Sequence, residues 1–276
     1  MRTIRASLWP GGGILLAMLL CAAPARAAEI DYSAYAAALK HVDARGMVNY
    51  RALKAAPRDL DRFLGQIAKL DRATYDAWSE KEKIAFWTNA YNAITLKVIL
   101  NYHPIESSWA ASLRYPKNSI RQISGVWDKL KFTVMGRAMT LDEIEHETLR
   151  KQFTEPRIHM ALVCAAMGCP PLRNEPYAGA RLDDQFDDQA KSFLGNDKKF
   201  RIDRRGGKVY LSPIFKWFGA DFEKKWPSGT FAGHDKTESA VLNFVSQHLS
   251  PADARYLRTA RYKVEYLDYD WSLNEQ

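Results

Sequence analysis

The amino-acid sequence predicts an α+β fold, a single globular domain in which a long buried central helix packs on a small mixed or antiparallel sheet. Three observations carry this. A segment from about Glu80 to Asn101 is apolar around most of its circumference at helical spacing. Short alternating segments that read as strands are interspersed with helices, without a regular βαβ cadence. A hydrophobic content of 47% with 12% aromatic residues suits a packed core and argues against disorder.

Residues 1–27 read as a secretory signal peptide. Arg2 and Arg5 give the positive start, Ile14 to Ala23 a short apolar core, and Ala25-Arg26-Ala27 the small-x-small cleavage pattern. Leu20 before Cys21 fits lipoprotein processing poorly, so cleavage after Ala27 is expected. This leaves one domain, 28–276, in the periplasm or the medium. No other stretch is long and apolar enough to cross a bilayer, so no transmembrane span is expected in the mature chain. The formal charge of +8 falls to +5 once Arg2, Arg5 and Arg26 are removed. Export and so modest a charge argue against nucleic acid as a partner. The densest basic patch, Lys198 to Lys208, reads as the solvated tip of a hairpin.

The elements follow in order. Asp31 to His41 reads as a short helix, Gly46 to Tyr50 as a turn into an extended segment, and Leu60 to Leu70 as a helix. Ser79 with Glu82 three residues on forms a capping box for the central helix, and His103-Pro104 ends it. On that helix Trp87 and Tyr91 belong to one apolar stripe. Asn89 interrupts a second stripe and Asn92 lies one turn on, so both are expected as buried amides. Lys131 to Met135 reads as a strand that turns at Gly136-Arg137 into Ala138-Met139. Thr140 caps LDEIEHETLR, which is expected to be a surface helix. Its Glu143 and His146 have metal-ligand spacing, but a di-iron bundle needs two such pairs, so no metal is expected. Leu182 to Leu194 is an amphipathic helix and Phe200 to Leu211 a hairpin. SPIFKWFGADF is helical after Ser212, and Thr237 caps a helix to Leu249. Tyr262 to Leu267 is a final strand. The fingerprints of zinc proteases, serine hydrolases, phosphate loops and dinucleotide sites are absent, and no cofactor is implied.

The stretch IHMALVCAAMGCPPL, Ile158 to Leu172, concentrates the reactive side chains. Ile158 to Cys164 is short and apolar and reads as a buried strand. On a regular strand His159 and Cys164 point to opposite faces, and a helix would separate them by about 140°. Three readings stay open. Cys164 and Cys169 form a structural disulfide beside a core histidine. Alternatively, one cysteine is a nucleophile with His159 as its base. In the third, these residues line a binding pocket. Four residues separate the cysteines, which excludes a Cys-x-x-Cys redox motif, and no second close-spaced Cys/His pair completes a zinc site.

The chain resembles the domain of unknown function 547 family. FWTNAYNAITL (Phe86 to Leu96), LDEIEHETLR, IHMALVCAAMGCPPL, SPIFKWFGADF and the closing YDWSLN carry the likeness. Ala165 stands where that family typically has glycine, and Gly168 where a serine-like residue is usual. The resemblance implies an exported bacterial protein of unestablished activity, with relatives in the C-terminal part of some plant proteins. It puts characteristic residues at Asn89, Asn92, His159, Cys164 and Cys169. A looser likeness of pattern is to papain-like and transglutaminase-like folds, where a long helix packs on a sheet bearing a histidine. Here the helix would lack the usual cysteine.

Two functions follow as expectations. The first is an envelope ligand-binding or assembly domain whose partner is a small molecule, peptide or envelope protein, recognised by Asn89, Asn92, Trp87 and Tyr91. The second is a thiol-dependent hydrolase or transferase acting on amide or peptide bonds. Its nucleophile would be Cys164 or Cys169, its base His159, and Asn89 an orienting or oxyanion-side group.

Overall fold

The computed structural model describes residues 30–226 and 231–276. The signal peptide expected over Met1 to Ala27 lies outside them. The chain opens with helix α1 (Ser33–Ala38), a 3₁₀ turn (Leu39–His41), α2 (Tyr50–Ala55), α3 (Arg58–Lys69) and α4 (Arg72–Asp76). Then comes the central α5 (Glu80–Tyr102). Its capping box forms as expected: the Ser79 side chain accepts from the Glu82 amide while Glu82 accepts from the Ser79 amide. Every residue from Ile84 to Leu100 except Lys97 is buried, and Lys97 pairs with Asp61 of α3 at 2.7 Å.

Such a helix cannot present a polar stripe to water, so its polar side chains must find partners inside. Thr88 and Thr95 bond back to the carbonyls of Ile84 and Tyr91. Asn89 and Asn92 reach outward instead. Asn89 donates to the Tyr177 carbonyl at 2.8 Å and accepts from the Tyr177 amide at 2.9 Å. Asn92 donates to the Ala161 carbonyl at 3.0 Å and accepts from the Val163 amide at 2.9 Å. Each amide completes the backbone bonding of a segment that has no strand partner there.

After α5 come α6 (Trp109–Ser112), a 3₁₀ turn (Ile120–Gln122) and the antiparallel hairpin β1 (Phe132–Val134) and β2 (Arg137–Met139). The hairpin shares a core with α5. Thr140 and Glu143 make a reciprocal cap, but the helix they open is a π-helix (Glu143–Leu149) running into α7 (Arg150–Gln152). The surface-helix expectation needs correcting, because Ile144, Glu145, Thr148 and Leu149 are buried.

The expected strand at Ile158 to Cys164 is not formed. Glu155 caps a 3₁₀ turn (Pro156–Met160) with Pro156 at its start, and the chain from Leu162 to Cys164 is irregular. Asn92 takes the backbone bonds a neighbouring strand would supply. The closing segment takes more: Met167 and Gly168 donate to the carbonyls of Ser272 and Asp270, and Asn274 donates to that of Ala165. A histidine on a 3₁₀ turn also removes the papain-like picture of a histidine-bearing strand.

Helix α8 (Leu182–Leu194) buries Leu182, Phe186, Ala190 and Phe193 as the periodicity predicts. A second core gathers α8, the hairpin β3 (Phe200–Asp203) and β4 (Lys208–Leu211), α9 (Pro213–Glu223), α10 (Lys236–Ser246), α11 (Pro251–Thr259) and β5 (Lys263–Tyr266). Its sheet is mixed: β3 and β4 are antiparallel, β4 and β5 parallel. Asp235 rather than Thr237 caps α10, accepting from the Glu238 amide. The basic hairpin also departs from a wholly solvated patch. Lys199 is buried, its ammonium donates to the Cys169 carbonyl, and burial brings its pKa down to about 8.

Replacing Asn92 by Ala leaves two buried backbone groups unpaired and is expected to cost about 2–4 kcal/mol. Urea unfolding of Asn92→Ala checks this. A loss below about 1 kcal/mol would show that water reaches the Ala161–Val163 segment and that the amide is dispensable.

Candidate functional site

The site grows from α9, the helix of the SPIFKWFGADF motif. Ser212 caps it and Pro213 occupies its first turn. Phe218 and Asp221 are three residues apart and so share a face. That face meets His159: its ring stacks on Phe218 at 4.1 Å between centroids and 15° between planes, and its Nε2 lies 2.9 Å from Asp221 Oδ2. The carboxylate can only accept, so Nε2 carries the proton. Burial lowers the His159 pKa, outweighing the hydrogen bond and charge of Asp221, which act to raise it. A neutral, oriented imidazole results.

Asp221 is a hub. Arg150 Nε donates to its Oδ2 at 2.5 Å, and Lys224 Nζ is 3.1 Å from Oδ1. Burial raises the Asp221 pKa, but the hydrogen bonds from His159 and Arg150 outweigh burial and hold it well below the usual carboxylate range. The Arg150 guanidinium also lies over the Phe218 ring at 5.0 Å and meets His146 Nδ1 at 2.9 Å. Arg150 can only donate, so His146 Nδ1 accepts. Burial, aided by the Arg150 charge, lowers the His146 pKa.

The π-helix supplies the second acid. Glu145 points into the interior, where burial pushes its pKa up to about 7 against the opposing hydrogen bond from Tyr91 and the charge of Arg150. Glu143, the other half of the Glu-x-x-His pair, is used at the Thr140 cap.

Cys164 and Cys169 are joined as a disulfide, with Cα atoms 6.3 Å apart. The disulfide of the first reading is formed. Neither sulfur is a free nucleophile in this state. The Tyr269 hydroxyl lies 3.3 Å from the Cys164 sulfur and 3.1 Å from that of Cys169. Gly168 makes this approach possible, since a Cβ there would meet the Tyr269 ring at 2.8 Å. Ala165 has φ +57°, a left-handed conformation that costs an L-residue with a Cβ roughly 1–2 kcal/mol and glycine nothing. Replacing the typical glycine by alanine is therefore not a neutral exchange of small residues.

These groups surround one cleft of about 210 Å³. Its walls include Trp127, Trp217, Tyr269 and Trp271 with Tyr91, Arg121, Glu145, His146, His159 and both cysteines. The cleft sits on the seam between the two cores: Tyr91 and Leu162 belong to the first, Ile214 and Phe218 to the second, and Tyr269 packs on both. A larger hollow of about 480 Å³ opens at the start of α5. It gathers less chemistry, because Lys81 is paired with Asp183 and Glu82 is engaged in the capping box.

The structure therefore divides the candidates read from the sequence. His159, Cys164, Cys169 and Tyr91 meet at the cleft. Asn89 and Asn92 do not line it, since both amides are occupied by backbone. Trp87 faces elsewhere, its indole donating to the Tyr75 hydroxyl at 2.8 Å beside a separate hollow. Sequence reasoning missed Asp221, Glu145, Arg121, Trp217, Tyr269 and Trp271. Five of these, all but Arg121, lie inside motifs that carried the family resemblance, and that was the available signal.

Two outcomes are expected. Glu145 has a folded pKa above its ordinary 4.5, so its contribution to stability is full below about pH 4.5 and is lost as pH rises through about 7. Unfolding free energies measured between pH 4.5 and 8 should fall for the wild type relative to Glu145→Gln by on the order of 3 kcal/mol. Parallel profiles would place Glu145 in contact with water. Ala165→Gly should leave stability unchanged or raise it by up to about 1 kcal/mol, whereas Ala93→Gly within α5 should lower it by about 1 kcal/mol or more. Equal losses at the two positions would contradict the backbone assignment at Ala165.

No curated protein and no solved structure matches the chain. A family model does match, and it spans α5, the π-helix, the cysteine stretch and α8. Residues 75–194 match the family described as protein of unknown function, DUF547, as the sequence motifs in that segment indicated.

Proposed function

We propose that this chain is an exported envelope protein whose seam cleft binds a small molecule or peptide. One observation carries the reading: an aromatic wall of Trp217, Tyr269 and Trp271 faces a buried, proton-holding carboxyl, Glu145, across a single cleft. Aromatic faces supply area at low entropic cost, and a few convergent polar groups fix orientation. Trp217 is 48% exposed, a large apolar surface that a ligand would cover. The leader-like residues 1–27 and a disulfide, which persists in oxidising compartments, support export.

A second reading has its own observation. Cys164 lines the same cleft as His159, whose ring is oriented by Asp221. Reduction of the disulfide would place a thiol and a neutral imidazole in one cavity, the equipment of a thiol-dependent hydrolase or transferase on amide or peptide bonds.

A thermal-shift screen of small molecules on the mature protein is expected to return compounds whose stabilisation disappears in Trp217→Ala. A ligand at about 100 times its dissociation constant adds about 2.7 kcal/mol, ample for detection. Hits that stabilise wild type and variant equally would move binding away from the cleft. Intact mass after denaturing alkylation without reductant separates the second reading. No added label is expected on the exported protein. Labelling of both cysteines would make the thiol reading the stronger one, and the same mass locates the mature N-terminus.

A further inference from the structure

The acids and histidines lining the cleft each meet a polar partner, whereas Arg121, the only Arg or Lys among the described lining residues, meets no acid there. Among the described residues His159 meets Asp221, and Asp142 faces His146 at 3.6 Å. Glu145 is hydrogen-bonded by Tyr91 and holds its proton to about pH 7. Arg121 differs. Its guanidinium lies over three rings, 4.6 Å from the centroid of Tyr115, 5.3 Å from Trp127 and 5.1 Å from Trp271. One Nη donates to the Tyr115 hydroxyl at 2.7 Å. That is a neutral partner, and none of the ion pairs among the described residues includes Arg121.

Aromatic faces hold a guanidinium by its plane and leave the N–H groups along its edge available. An arginine braced this way loses little entropy on engaging a planar anion. The same ring system continues into the exposed wall: Trp271 packs on Tyr269 at 4.6 Å and on Trp217 at 6.2 Å, 25° from parallel. A fixed cation without a counter-ion among the described residues thus stands at one end of an aromatic platform that is open at the other.

We propose that the ligand of this cleft is a carboxylate whose anionic group pairs with Arg121 and whose ring body stacks on Trp217. This rests on the cleft being the ligand site and names the ligand's chemistry. Aromatic acids and sugar acids share that chemistry.

Calorimetric titration of the mature protein with two matched pairs tests it: 2-naphthoate against its neutral amide, and glucuronate against glucose. The wild type is expected to bind at least one acid about tenfold or more tightly over its neutral partner, the range of a charge-assisted bidentate pair. Which pair responds tells the two sources apart. Arg121→Gln should abolish the preference, and Arg121→Lys, which keeps the charge without the fork, should retain part of it. Circular dichroism and melting confirm that each variant is folded. If Arg121→Gln does not fold, loss of part of the preference in Arg121→Lys decides for the proposal, and an undiminished preference decides against it. Equal affinity for acid and neutral partner, weakened by Trp217→Ala, would overturn the anion assignment while leaving the cleft as a binding site. A preference that survives Arg121→Gln would overturn it too. No binding of any probe, or binding indifferent to Trp217→Ala, would overturn the cleft reading and the anion assignment with it.

Discussion

The rest of the structure depends on how α5 is buried. A helix surrounded by protein on every side removes its own polar side chains from water and also covers the irregular segments laid against it. Asn89 and Asn92 resolve both needs. Each presents one donor and one acceptor to a stretch of backbone that would otherwise bury unpaired groups. The amides act as a one-residue strand edge on the side of a helix. The cysteine stretch can therefore remain irregular, and its irregularity lets His159 face α9 while the cysteine loop faces the closing segment.

Electrostatics then set the character of the seam. Asp221 accepts from neutral His159 and meets the cations of Arg150 and Lys224, and these contacts keep it charged. Glu145 is buried and enters no ion pair among the described residues, so it stays protonated well above the ordinary carboxylate range. Two acids in neighbouring environments are driven in opposite directions, which places a proton donor in the cleft near neutral pH and a fixed charge behind His159. His159 and His146 are both kept neutral, because burial outweighs their acidic neighbours.

Much of this was legible in the residues. Ser79 with Glu82, the breadth of the apolar surface on α5, the amphipathic α8 and the β3–β4 hairpin each follow from local rules, and local rules were obeyed. The misreadings share a cause. Ile158 to Cys164 looks like a strand because it is short and apolar, but its partners are a helix side chain and a segment about a hundred residues downstream. LDEIEHETLR looks like a surface helix because it is charged, yet a π turn rotates Glu145 inward. Lys199 looks solvated by its neighbours in sequence and is captured by the Cys169 carbonyl. Arg121 carried no sequence signal at all, since its bracing rings come from positions 115, 127 and 271.

The disulfide and the closing segment have a consequence for how the molecule holds together. Tyr269 touches both sulfurs, packs on both cores and walls the cleft, while Leu273 and Asn274 pair with the cysteine loop and Tyr50 donates to Asn274 at 2.7 Å. The last turns of the chain thus work as a latch across two halves that otherwise meet through α8, α9 and a few ion pairs. Cutting the latch would let the halves part along the line where the cleft lies. The site would be lost before either half unfolded, and occupancy of the site would in turn hold the latch closed.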